Sequence, residues 1–406
     1  MTIAPARNDA AAAPSPSARP VPFALPGWLL VTAGFAVSRV VTSLFLAAVY
    51  AFVSTGDYTF EHYDGRQGFI GFLESWDSRF YHRIAVNGYP DTLPREPNGD
   101  VGKSAWAFLP LYPLVVRAVI GLTGLGFPIA GMLVSIIFGG AAAVALHHLI
   151  RYRFGNHAAM WGALFFCFGP LSFVLQVAYA ESLFLFCMFV SVIAMMKRRY
   201  LLMIPFAVAA TFTHPGGIAL AAALGVVGLT RLLRGERLPR REWMSASTAI
   251  LSIVASTLAW PLIASAVTGY PSAYFDTELA WWRDYIETVQ NFVPFSPWFM
   301  MAEDSGGWVL VVLVAVLLAA TAALLARRSA RALGTELWAY TVSYITYLVA
   351  VFLPQQSIFR MLLLPLSPLL GHPVFTGSRT RRVVTLSVSI ALQPIAMIML
   401  WVVWPP

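Results

Sequence analysis

The sequence predicts an all-α, polytopic membrane protein. Three observations carry that prediction. Hydrophobic residues make up 58% of the 406 and charged residues only 11%, a balance foreign to water-soluble domains of this size. Eleven apolar runs, at 28–53, 128–150, 157–175, 178–196, 200–213, 216–233, 244–267, 307–326, 336–354, 357–372 and 382–403, reach or approach the ~20 residues a helix needs to cross a bilayer. The ~10-residue alternating segments of a transmembrane β-barrel are absent.

Residues 1–26 are rich in Ala, Pro and Ser. They lack an apolar stretch followed by a cleavage site, so they read as a disordered cytoplasmic tail. One transmembrane domain, 27–406, follows, and its first span is an uncleaved anchor. Basic clusters at Arg151/Arg153, Lys197–Arg199, Arg231–Arg241, Arg327/Arg328/Arg331 and Arg379–Arg382 separate later spans. The positive-inside rule puts them, with the N-terminus, in the cytoplasm. That assignment requires a further apolar run, 105–124, not to cross fully. It carries Pro110, Pro113 and Arg117 and reads as re-entrant or interfacial. About eleven spans result, with the C-terminus outside.

The outer face then holds 15 of the 19 acidic residues and two long polar segments, 54–106 and 268–306. Loops this long between closely connected spans usually carry function. The net charge of +8 comes from short loops between spans and does not point to nucleic acid. Cys167 and Cys187 fall in apolar runs and read as packed free thiols. No internal repeat is evident, which counts against a secondary transporter.

The stretch FLESWDSRFYHRIAVNGYP (72–90) raises the sharpest question. Read as one amphipathic helix over 68–85, it aligns Phe69, Leu73, Trp76, Phe80 and Ile84 on an apolar stripe. Glu74, Ser75, Ser78, Arg79 and His82 face away, towards water. Asp77 falls inside the apolar stripe. An acid there is costly unless it lines a protein cavity; the alternative is a partner for Arg79 or Arg83. Glu181, near the outer end of its span, and Arg360, at the outer end of another, are intramembrane charges and hence site candidates. Arg360 suits a lipid phosphate, or else a salt bridge to Asp77 or Glu181. Arg39 and Arg117 pose the same question.

In ATFTHPGG (210–217), Pro215 and the two glycines read as a tight inter-helix turn with close backbone approach. His214 there is a cap, a hydrogen-bond donor or a phosphate contact. The loop YFDTELAWWRDY (274–285) mixes aromatic faces, which stack on sugar C–H faces, with carboxylates, which accept sugar hydroxyls. An interfacial aromatic belt explains Trp281 and Trp282 equally well.

Four of these stretches, in order, resemble the PIG-V-like family of GT-C mannosyltransferases: SWDSRFYHRIAVNGYP (75–90), AFLPLYPL (107–114), AYAESLF (178–184) and FRMLLLPLSPLL (359–370). The resemblance spans most of the chain and implies a GT-C-like bundle with interfacial helices in its first outer loop. It implies a polyprenyl-phosphate mannose donor, used on the outer face, with Asp77 as the catalytic acid of that loop. Only two of the 27 basic residues are lysine, a bias of GC-rich bacterial genomes, and the resemblance is to a bacterial, actinobacterial-type member. A lipoglycan, polysaccharide or protein acceptor then fits better than a glycosylphosphatidylinositol precursor. Arg360, Arg79 and His214 are expected at the donor phosphate, and Trp76, Glu181, Tyr89, Trp281 and Trp282 at sugar or acceptor. Bacterial relatives often carry T-R-P-x-G where this chain has T-H-P-G-G, which shifts the phosphate contact from position 214 towards Arg360 or Arg79. No cofactor is expected; a divalent metal at Asp77 is compatible with the chemistry, although no ligand cluster demands it. The alternative is a lipid-linked sugar flippase or other transporter. Polar residues gathered at outer span ends, not at midplanes, favour an enzyme.

Overall fold

Apolar surroundings leave the backbone no water to bond, so its hydrogen bonds close within helices. The computed structural model describes residues 25–55, 68–327, 330 and 333–404, and these are helical almost throughout, with one isolated bridge between Arg95 and Val101. The expected tail at 1–24, residues 56–67 of the first outer loop, and Arg328 and Arg331 lie outside the described residues.

In chain order, α1 is Gly27–Val53, α2 Gly68–Leu73, α3 Asp77–Asn87, α4 Leu111–Thr123, α5 Phe127–Cys167, α6 Glu181–Met196 and α7 Tyr200–Thr211. Then come α8 (Ala219–Leu233), α9 (Arg240–Thr268), α10 (Ala273–Trp282), α11 (Pro297–Ala326), α12 (Thr335–Val351), α13 (Ile358–Leu363), α14 (Pro373–Thr376) and α15 (Arg379–Met397). Among the described residues six helical stretches are long and apolar enough to cross a membrane, and α4, α6 and α7 are shorter apolar helices. The chain is a multi-pass membrane protein.

Glycines and prolines set where the expected runs break and end. The two runs at 128–150 and 157–175 fall in the two helical halves of α5, which part at Gly155 (φ 85°, ψ 171°), a conformation that suits glycine, and the second half ends at Cys167. The stretch α11 is likewise two helices, parted at Gly306 and Gly307 (φ 61°), where the 268–306 segment is expected to give way to a span. The run at 357–372 is not a continuous helix. Pro365 and Pro368 remove backbone donors, so α13 stops at Leu363 and a 3-10 turn, Ser367–Gly371, follows. Helix α4 has 13 residues, about 20 Å at 1.5 Å per residue, against a hydrocarbon core of about 30 Å. Arg117 on α4 donates to the carbonyls of Ala85 (2.6 Å) and Val86 (2.9 Å). It thereby ties α4 to the C-terminal end of α3, where a cation meets free carbonyls. Arg39 likewise serves the backbone, donating to the carbonyls of Ser172 (2.6 Å) and Cys167 (3.0 Å). Cys167 and Cys187 are buried and free, as expected.

The helix ends at Tyr200, Arg231, Glu242 and Glu336 meet in one cluster. Arg231 is expected in an exposed basic loop, yet it is buried, because it donates to Glu242 (2.9 Å), Glu336 (2.8 Å) and Tyr200 (2.9 Å). Arg231→Met is expected to lower the melting temperature in detergent. It leaves two carboxylates facing each other, at the lower end of the about 3–5 kcal/mol cost of breaking a buried pair, since both keep some water. An unchanged melting temperature would show that this cluster does not hold α8, α9 and α12 together.

Candidate active site

The helix expected over 68–85 is two helices. The chain breaks at 74–76, and Trp76 has φ 62° and ψ −122°, a conformation that turns usually give to glycine. Its indole Nε1–H donates to the Trp401 carbonyl (3.0 Å), which holds the turn. A helical wheel does not carry across such a break. The side expected to face water is therefore buried: Glu74, Ser75, Ser78 and His82 are all inside. Glu74 bonds His82, whose ring stacks on Phe127 at 4.5 Å. The break makes Asp77 the first residue of α3, where the helix dipole favours a carboxylate.

Asp77 pairs with Arg360, and Arg360 also donates to Glu181 Oε1 at 2.9 Å. Glu181 is in the first turn of α6, again at a helix N-terminus. The Arg360 guanidinium also donates to Ser357 Oγ (3.3 Å) and lies 5.0 Å from the centre of the Tyr179 ring. The backbone N–H of Asp77 donates to the Tyr179 hydroxyl (3.3 Å). One cation thus stands between two acids, all three largely buried, so the trio carries one net negative charge.

The trio lies on the wall of a cavity of about 360 Å³. Phe108, His214, Trp260, Trp281 and Trp282 share that wall with Tyr274 and Glu278. Phe108 stacks on Phe80 of α3 with ring centres 4.6 Å apart, so the 107–114 stretch braces the helix that carries Asp77. At the 213–217 turn a Cβ on Gly217 would come within 2.7 Å of the Thr211 backbone nitrogen, so only glycine closes it. His214 Nδ1 accepts the Gly216 N–H (2.9 Å), leaving the Nε2 proton for Met361 Sδ at 3.0 Å. Burial, and then Arg360, push the His214 pKa down to about 3, so it enters the site as a neutral donor.

Of the residues expected at the chemistry, Asp77, Glu181, Arg360, His214, Trp281 and Trp282 line this cavity, whereas Arg79, Trp76 and Tyr89 do not. Arg79 lies against the Phe80 ring at 4.9 Å. Tyr89 donates to the Phe108 carbonyl (2.8 Å) and stacks on Trp106. These three shape the scaffold around α3. Glu278 and Tyr274, from the 274–285 stretch whose aromatics and carboxylates are expected to suit a sugar, also line the wall. The spacing 274, 278, 281 puts both on the α10 face of Trp281, a signal present in the sequence. Among the described residues no three His, Cys, Asp or Glu side chains gather into a metal-binding group.

Four separated stretches therefore converge on one cavity wall or brace it. A family profile described as mannosyltransferase (PIG-V) matches residues 59–270, just over half of the chain. The chain belongs to the PIG-V mannosyltransferase family. Among curated PIG-V-type relatives, GPI mannosyltransferase 2 of Drosophila pseudoobscura pseudoobscura is 30% identical over 139 residues, 31% of this chain and 28% of that protein. GPI alpha-1,6-mannosyltransferase 2 of Homo sapiens is 30% identical over 131 residues, 29% and 24% of the two. The chain thus spans about a quarter of the length of these relatives. Among solved structures, that of ArnT from Cupriavidus metallidurans bound to undecaprenyl phosphate aligns with TM-score 0.46 and 17% identity, over 93% of this chain and 64% of that one. Archaeal oligosaccharyltransferase AglB from Archaeoglobus fulgidus aligns with TM-score 0.39 and 10% identity, over 91% and 50%. The PIG-V match ends at residue 270, before Glu278 and Arg360.

Proposed function

We infer that the protein moves a mannosyl residue from a polyprenyl-phosphate donor to a lipoglycan, glycan or protein acceptor. The active cavity faces the outer side of the membrane, with the N-terminus in the cytoplasm. Family membership supports the reaction class. The single observation that carries the mechanism is Arg360 held between Asp77 and Glu181 on the wall of an aromatic cavity.

The donor's anomeric carbon is already activated by its phosphate. As the phosphate enters, its charge competes with Asp77 for Arg360, while Glu181 retains the guanidinium. Asp77, released from the pair, accepts the proton of the acceptor hydroxyl. The acceptor oxygen bonds to the anomeric carbon. The carbon–oxygen bond to phosphate breaks, its electron pair staying on the phosphate beside Arg360. One displacement inverts the anomeric centre, and Glu181 does not serve as a nucleophile. The neutral His214 donates from the wall. No step calls on a metal ion.

Purified protein should therefore transfer label from polyprenyl-phosphate [14C]mannose to glycolipids extracted from the producing cells. Label that crosses the bilayer of proteoliposomes without entering any product would instead support a flippase. His214→Gln is expected to slow transfer yet keep the shape of the pH–rate profile between pH 5 and 8, because His214 does not titrate there. A limb that disappears with this variant would show that His214 acts as a cation after all.

A further inference from the structure

Three carboxylates line the cavity: Asp77, Glu181 and Glu278. The first two share Arg360. Glu278 has no cationic partner among the described residues; its bond is with the Tyr274 hydroxyl. It stands on α10 one turn after Tyr274 and one turn before Trp281, and all three line the cavity. The Trp281 indole Nε1–H, buried, has no hydrogen-bond partner. A carboxylate with lone pairs beyond its Tyr274 bond and an unpartnered N–H thus stand on one helical face, walled by Trp260 and Trp282.

A half-buried carboxylate without a cation repels a phosphate, and Asp77 adds a second negative charge nearby. This end of the cavity therefore excludes the donor's leaving group, which belongs at Arg360. A neutral, hydroxyl-rich ring satisfies every feature here. Its hydroxyls donate to the carboxylate, one of them accepts from the indole, and its C–H faces pack on the aromatic walls. We propose that Glu278 and Trp281 form the acceptor subsite and select a neutral sugar ring carrying two adjacent free hydroxyls. The proposal rests on the mannosyl-transfer reading above and adds the chemical class of the acceptor to it.

The groups facing Glu278 are Tyr274 on its own helix, Asp77 on α3 and Tyr347 on α12. Burial pushes its carboxyl up to about 7; the Tyr274 bond pulls against this and the Asp77 charge adds to it. Recognition of two hydroxyls needs the ionised form. Affinity for the acceptor therefore rises as pH increases through about 7.

The test is steady-state transfer from polyprenyl-phosphate mannose to octyl α-mannoside and, separately, to glycolipid extract of the producing cells. Glu278→Gln keeps the shape and removes the charge. It is expected to raise the acceptor KM about tenfold or more, the worth of a hydrogen bond to a charged group. The donor KM should hold, and kcat should fall by less than about threefold. The rise of kcat/KM through pH 7 should vanish in this variant and persist in His214→Gln. Trp281→Phe, which removes the N–H donor and shortens the aromatic face, should raise the acceptor KM without changing the pH dependence. A raised donor KM would place Glu278 on the donor sugar and overturn the proposal. So would a large loss of kcat at unchanged KM, which would make Glu278 the proton acceptor. A wild-type protein that transfers to neither acceptor would sink the mannosyl-transfer reading itself, a separate outcome.

Discussion

Asp77→Asn is expected to lower kcat for mannosyl transfer by ~10²–10⁴-fold, the range for loss of a general base, while the protein still folds and retains donor. The amide has the carboxylate's shape, and Arg360 still holds Glu181 at 2.9 Å, so the buried cation is not left alone. The backbone bond from Asp77 to the Tyr179 hydroxyl (3.3 Å) does not depend on the side chain. What disappears is the capacity to accept a proton. Donor retention, measured as labelled polyprenyl-phosphate mannose bound to protein in nanodiscs, should stay at the wild-type level or rise. Asp77 no longer competes with the phosphate for Arg360. Transfer at near wild-type rate by this variant would remove Asp77 from the chemistry. Loss of both binding and folding would make it a structural partner of Arg360 only.

How much of this site was legible in the sequence differs from residue to residue. Asp77, Glu181 and Arg360 stand out because an apolar chain has few ways to accommodate charge, and mutual pairing is among them. Their meeting follows from that constraint. The break at Trp76 has no such signal. A bulky residue at φ 62° is held by a tertiary bond to Trp401, a residue more than three hundred positions away, and no local pattern encodes it. The wheel therefore drew attention to Asp77 through a stripe that the break interrupts, and it sent Glu74, Ser78 and His82 to the wrong side. Arg79, Trp76 and Tyr89 drew attention by lying in the same motif as Asp77. Their side chains brace Phe80, Trp401 and Phe108 instead. Glu278 illustrates the opposite case. Its spacing to Tyr274 and Trp281 was visible, but only the packing of α10 beside α9 tells a cavity wall from an interfacial belt.

Arg360→Ala is expected to eliminate transfer, but for two reasons that must be separated. The first is catalytic: the departing phosphate loses its cation, and removal of one such preorganised donor costs about 10²–10³ in kcat. The second is structural. Asp77 and Glu181 would face each other without a counter-charge, and breaking a buried pair costs about 3–5 kcal/mol. A charge-balanced double variant separates them. In Arg360→Gln with Glu181→Gln, one cation and one anion are removed together, so the trio keeps its single net negative charge. Such a protein should regain most of the melting temperature lost in Arg360→Ala and still fail to transfer. Arg360→Lys gives the graded result. A single ammonium cannot span both acids as the guanidinium does, so the charge remains while the geometry is lost, and transfer should be reduced but detectable. If the double variant folds and transfers at near wild-type rate, the phosphate is stabilised elsewhere, and Arg360 is a tie between α3 and α6.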